Sequence, residues 1–231
     1  MKLLLEIKRY RFYLLFLLVT TMGCKEQVKK EDKAVEDTSR VDYLPFYKDE
    51  SFTPYWIIPG SEEERNFHKI ADFKLLNQLG DTITQHTFAN KIYITDFFFT
   101  TCPGICPKMT GNMAKLQEEF KQDNDILLLS HSVMPSVDTV SILKSYALQN
   151  NVIDSKWHLA TGDRNEIYAL GREQYFVEND LGEIKSNDDF LHTENFLLID
   201  KNKHIRGIYN GLNRASIAQL IIDVKALKEE S

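Results

Sequence analysis

Two of the three cysteines stand close together in Phe99-Thr100-Thr101-Cys102-Pro103-Gly104-Ile105-Cys106-Pro107, with three residues between them. A loop feeding a helix N-terminus can bring both sulfurs to one side. The partial positive charge of such a terminus favours thiolate over thiol. Thiolate is both a nucleophile and a soft metal ligand. Two thiolates alone suit Cu(I), and one added imidazole completes a trigonal site that also holds Cu(II). The pair therefore reads as a metal site, a redox switch or a disulfide. A purely structural staple across three residues would close a very small loop and restrain little chain.

Other chemistry-bearing residues are read one by one. His192 closes the polar loop Ser186-Asn187-Asp188-Asp189-Phe190-Leu191-His192-Thr193, just before a core strand and near the cysteine end of the sheet. His131, in Ser130-His131-Ser132-Val133, reads as a core or near-site histidine. Met109 and Met113 carry thioether sulfurs, but with Leu116 and Phe120 they have the spacing of a buried helical face. Asp96, ahead of Phe97 to Phe99, is a carboxylate placed to tune a cysteine thiol. His68, His86, His158 and His204 lack ligand partners at useful spacing.

The elements that must position these residues follow from periodicity. Asp72 to Phe88 reads as a β-hairpin turning at Gly80-Asp81. Lys91 to Phe99 and Ile126 to Val133 are buried strands, and Lys108 to Lys121 is a helix between them. Asp138-Thr139 is read as the cap of a helix running to about Asn150. A short strand from Trp157 to Ala160 leads through Thr161-Gly162-Asp163 into a helix ending near Gln174. Strands from Glu194 to Asp200 and Ile205 to Tyr209 precede a closing helix, Asn213 to Lys228. This order predicts an α/β, thioredoxin-like fold: a central mixed sheet, helices on both faces, and an extra N-terminal hairpin. The cysteines then fall where a central strand hands over to its helix, the place where open α/β sheets do chemistry.

The N-terminus reads as a targeting segment. Lys8, Arg9 and Arg11 precede the apolar run Phe12 to Val19, then small residues and Cys24. The run is short of the roughly 20 residues that span a bilayer. The placement of Cys24 resembles that of a lipoprotein signal, cut before a cysteine that then carries lipid, although Thr21 stands where a Leu is usual; the alternative is an uncleaved membrane anchor. Residues 1–23 are thus expected to be a signal peptide and 24–66 a charged tether plus an extended arm. Residues 67–231 are expected to be the thioredoxin-like domain that carries the cysteine pair. The chain is placed in the cell envelope, on a membrane anchor facing the periplasm or the exterior. Residues 1–24 carry a net +3, so the formal −6 of the 231-residue chain becomes −9 beyond them. That acidity argues against nucleic-acid binding.

The segment Phe97-Phe98-Phe99-Thr100-Thr101-Cys102-Pro103-Gly104-Ile105-Cys106-Pro107-Lys108-Met109 resembles the signature of the Sco (SenC) family. The resemblance runs over about residues 70–228 and includes Ile205-Arg206-Gly207-Ile208-Tyr209-Asn210-Gly211. It implies a copper-binding, thioredoxin-like protein that assists assembly of the dinuclear copper centre of a cytochrome c oxidase subunit. It also implies copper ligation by Cys102, Cys106 and His192. The chain departs from the family in having Val133-Met134-Pro135 where Val-Asp-Pro is common, and Lys203 where a turn glycine is common.

The expected role is therefore a copper metallochaperone, not an enzyme. The alternative is a thiol–disulfide oxidoreductase with Cys102 and Cys106 as its redox-active pair. Against it stand the three-residue spacer, Thr101 in place of a tryptophan, and the lack of any proline after Pro135.

Overall fold

Ile92–Phe98 (β3) and Ile126–Ser132 (β4) are buried at every position, as apolar strands inside a layered sheet must be. The computed structural model describes residues 41–178, 191 and 193–230. They belong to one unit covering 38–231. Its central sheet has the order β5-β4-β3-β6-β7. β5 is Trp157–Ala160, β6 is Asn195–Ile199 and β7 is Ile205–Asn210. β3, β4 and β5 run parallel, whereas β6 pairs antiparallel with β3 and β7. The sheet is therefore mixed, as expected.

Alternation along β3 divides the core in two. Ile92, Ile94 and Phe98 face helices α2 (Cys106–Phe120), α3 (Val140–Gln149) and α5 (Arg214–Glu230). Tyr93 and Phe97 face α4 (Arg164–Ala169) and the hairpin of β1 (Lys74–Leu76) and β2 (Thr82–Thr84). Met109 and Met113 are fully buried in the first core, which is the packing their spacing predicts. Burying each contributes about 1.5–3 kcal/mol.

Residues 41–66 run mostly without regular structure, with one short helix, α1 (Glu62–Arg65). They pair through Phe46 with Tyr55 and through Tyr47 with Ile205 on the outer strand β7. Lys203 in the β6–β7 turn has φ +75°, a left-handed conformation that glycine adopts at less cost, which explains why a glycine is common there. No helix of the described residues is long and apolar enough to cross a membrane.

Two local expectations need correction. The helix after the cysteine loop begins at Cys106, not Lys108, so the second cysteine is its first residue. Asp138-Thr139 does not cap α3 through a side chain. Thr139 occupies the cap position, but its hydroxyl pairs with the Ser141 hydroxyl at 3.0 Å and caps no backbone N–H, and the Asp138 side chain is buried elsewhere. By contrast, Asp163 caps α4 through its side chain, accepting from the Glu166 N–H at 3.0 Å.

Candidate metal centre

The end of β3 delivers the chain to residue 99, and α2 starts seven residues later. Pro107 suits the first turn of that helix, where its missing N–H costs nothing. No side-chain oxygen caps α2. The Cys102 sulfur takes that place, accepting hydrogen bonds from the N–H groups of Cys106, Gly104 and Ile105. The two cysteines are free thiols, with Cys106 buried and Cys102 half-buried.

Their environments push the two thiols apart. Burial opposes the Cys102 thiolate, but the Cys106 thiol and the three backbone N–H groups stabilise it and hold the thiol below its usual range. Burial raises Cys106, the neighbouring Cys102 and Asp96 raise it further, and together they push it up to about 12 against one N–H bond from Phe99. The site thus presents a half-buried thiol that is made easier to ionise beside a buried one that is held protonated. Both are soft donors aimed from one helix end, a set that fits copper.

Asp96 lies in β3 on the face of Ile94 and Phe98, the same side of the sheet as Cys106. It is buried, and burial pushes its carboxyl up to about 7 despite the Ser130 hydroxyl that donates to it. Trp157 Nε1 donates to the Ser130 oxygen at 2.8 Å, so the three form a linear chain of hydrogen bonds ending on Asp96. Asp96 acts on Cys106 as a nearby carboxylate and raises its thiol.

His131 belongs to the other core. It stacks on Phe97 with centroids 4.7 Å apart, and its Nδ1 pairs with the Thr95 hydroxyl at 3.1 Å. Burial holds it down at about 3. It is a core histidine. His68 and His204 sit together near the arm, where His204 Nδ1 and His68 O lie 2.8 Å apart.

The expected third donor, His192, and the expected lipid site, Cys24, lie outside the described residues. Among the described residues no three His, Cys, Asp or Glu side chains gather in a way that would hold a metal ion. Both neighbours of His192 are fixed. Leu191 is buried beside Gly171 and Phe97, and the Thr193 hydroxyl accepts the Asn195 N–H at 3.0 Å.

Sequence reasoning missed what holds the cysteine loop from outside. Asp138 accepts hydrogen bonds from the Thr100 N–H at 3.1 Å and from the hydroxyls of Thr100 and Ser132. Asp138 and Thr100 are 38 residues apart, so no local pattern links them.

A family model described as SCO1/SenC matches residues 61–229. The SCO1 protein homolog of Bacillus subtilis is 30% identical over 163 residues, covering 69% of this chain and 82% of that protein. A SCO1/SenC family lipoprotein from Bacillus anthracis has 30% identity and a TM-score of 0.61, over 70% of this chain and 95% of that one. BsSco, described as a member of the Sco family of cytochrome c oxidase assembly proteins with a disulfide switch, is 27% identical with a TM-score of 0.58, over 69% and 93%. Bradyrhizobium japonicum ScoI, solved with copper bound, shares the fold at 21% identity and a TM-score of 0.54, over 68% and 98%. With its thioredoxin-like sheet and its Cys102–Cys106 loop at the strand-to-helix junction, the chain belongs to the SCO1/SenC family.

Proposed function

We propose that this protein is a copper metallochaperone of the cell envelope. It binds one copper through Cys102, Cys106 and His192 and hands it to the dinuclear copper site of a cytochrome c oxidase subunit. The observation that carries this reading is the pair of free thiols at the start of α2, one of them stabilised as thiolate by three backbone N–H groups. Transfer by ligand exchange requires reduced cysteines and a partly accessible donor, and Cys102 is such a donor. Family membership supports oxidase assembly as the setting, and the copper-bound relative supports the metal. A lipid on Cys24 would tether the domain to the membrane, as the description of the B. anthracis relative suggests.

A second reading draws on the thiol asymmetry. The Cys102 thiolate attacks a target disulfide and expels one target thiolate. Cys106 then attacks the Cys102 sulfur, its proton passing to the target thiolate released in the first step, and expels the second target thiolate to leave a Cys102–Cys106 disulfide. The two readings part at His192. Copper titration of the reduced protein, followed by optical and paramagnetic resonance spectra with Cu(II), is expected to give one copper per chain with a thiolate charge-transfer band. His192→Ala is expected to weaken copper binding by at least about tenfold while sparing disulfide exchange. No stable copper in the wild type, with ready disulfide exchange, would transfer the assignment to the second reading.

A further inference from the structure

The Asp138 carboxylate is fully buried at the junction between β4 and α3, ahead of a helix it does not cap. A buried carboxylate is costly unless donors surround it. Here three donors do so: the Thr100 N–H, the Thr100 hydroxyl and the Ser132 hydroxyl. Ser132 is the last residue of β4, whose next N–H, from Val133, donates to Phe98 O at 2.9 Å. The end of β4 and the entry to the cysteine loop are therefore locked together through one carboxylate.

Thr100 matters because of the peptide it shares with Phe99. The N–H of that peptide is the one Asp138 holds, and its carbonyl accepts the Cys102 N–H at 3.4 Å. The Phe99 N–H in turn donates to the Cys106 sulfur. Both cysteines are thus referenced to Phe99, and the plane of the peptide after Phe99 is set by Asp138. We infer that Asp138 is a positioning residue for the copper site, fixing the Phe99–Thr100 peptide so that both sulfurs stay aligned with the start of α2.

This inference rests on the copper reading for its metal readout, but the thiols give a second readout that needs no metal. The test uses the full chain in mild detergent, with Cys24→Ser in every variant so that only the site thiols report. Asp138→Asn keeps the shape and can no longer accept all three bonds. It is expected to weaken copper binding about tenfold or more, the range typical of groups that orient metal ligands. It is also expected to raise the Cys102 thiol titration, followed by thiolate absorbance in the absence of metal, and to change the Cu(II) hyperfine splitting. Thr100→Val removes one bond and keeps the N–H, so it is expected to give smaller changes in the same direction. It also serves where Asp138→Asn does not fold. Thr139→Ala, beside Asp138 but without a bond to the loop, controls for a general weakening of α3.

Wild-type copper affinity within twofold and an unchanged thiol titration in Asp138→Asn would overturn the inference. So would equal changes in a Thr139→Ala protein of matched melting temperature. If the wild type binds no copper, the copper reading fails, and the thiol titration alone decides: a shift upholds the role of Asp138, and no shift overturns it.

Discussion

Asp96 shows how one buried carboxylate ties stability to pH. Its folded carboxyl is pushed up to about 7 by burial, against 3.8 as its ordinary value. Between those values the folded chain holds a proton that the unfolded chain has released, so stability falls as pH rises through the window. His131 has the opposite sign: burial holds it at about 3, so its contribution rises with pH up to its ordinary 6.5 and is constant above. The window from pH 6.5 to 8 therefore isolates Asp96 from His131. There the wild type should lose on the order of 1 kcal/mol more stability than Asp96→Asn, which keeps an acceptor for Ser130 and does not titrate. Urea unfolding of the reduced proteins at the two pH values measures the difference. Equal slopes would show that Asp96 is ionised throughout.

At the scale of elements, the strands were legible because buried apolar runs have few alternatives; β3 and β4 fall within a residue or two of where Lys91–Phe99 and Ile126–Val133 placed them. The start of α2 was not, because its cap is a sulfur and the chain offers no Ser, Thr, Asp or Asn there. Asp138-Thr139 misled for the converse reason. The residue types that cap helices also serve distant donors, and only the tertiary neighbour, Thr100, decides between the two uses. The closeness of the two cysteine sulfurs was readable from their spacing. The loop support through Asp138 was invisible because it joins separate segments.

A related element is the π-helical turn Leu170–Gln174 after α4. A Cβ on Gly171 would lie 2.7 Å from Leu191 Cδ1 and 3.1 Å from Phe97 Cε1. Gly171→Ala is expected to cost about 1–3 kcal/mol by overpacking and to displace Leu191, the residue before His192. Copper affinity measured beside thermal unfolding should fall with stability. Affinity that stays at the wild-type value would show that the position of Leu191 does not reach the site.

At the scale of the molecule, Arg206 joins three distant parts. From β7 it bonds Leu44 O at 2.7 Å in the arm, Glu230 at 2.6 Å at the end of α5, and Asp200 at 3.3 Å after β6, while lying 3.9 Å over the Phe46 ring. Removing one partner of a buried ion network strands the others. Arg206→Ala is expected to destabilise the fold by about 3–5 kcal/mol, as read by denaturant unfolding, and to free the arm to protease. A loss below about 1 kcal/mol, the value of an exposed pair, would place the network in solvent.

The unequal thiols have a consequence for where copper is held and where it is let go. Cys106 keeps its proton at neutral pH, being pushed up to about 12, so a metal that takes both sulfurs must displace that proton. Acidity and cargo then compete for one sulfur. For copper held through both sulfurs, as proposed, each unit of acidification weakens the hold about tenfold. For the proposed copper delivery, the pH of the compartment becomes a setting, tightening the grip in alkaline surroundings and loosening it where protons accumulate.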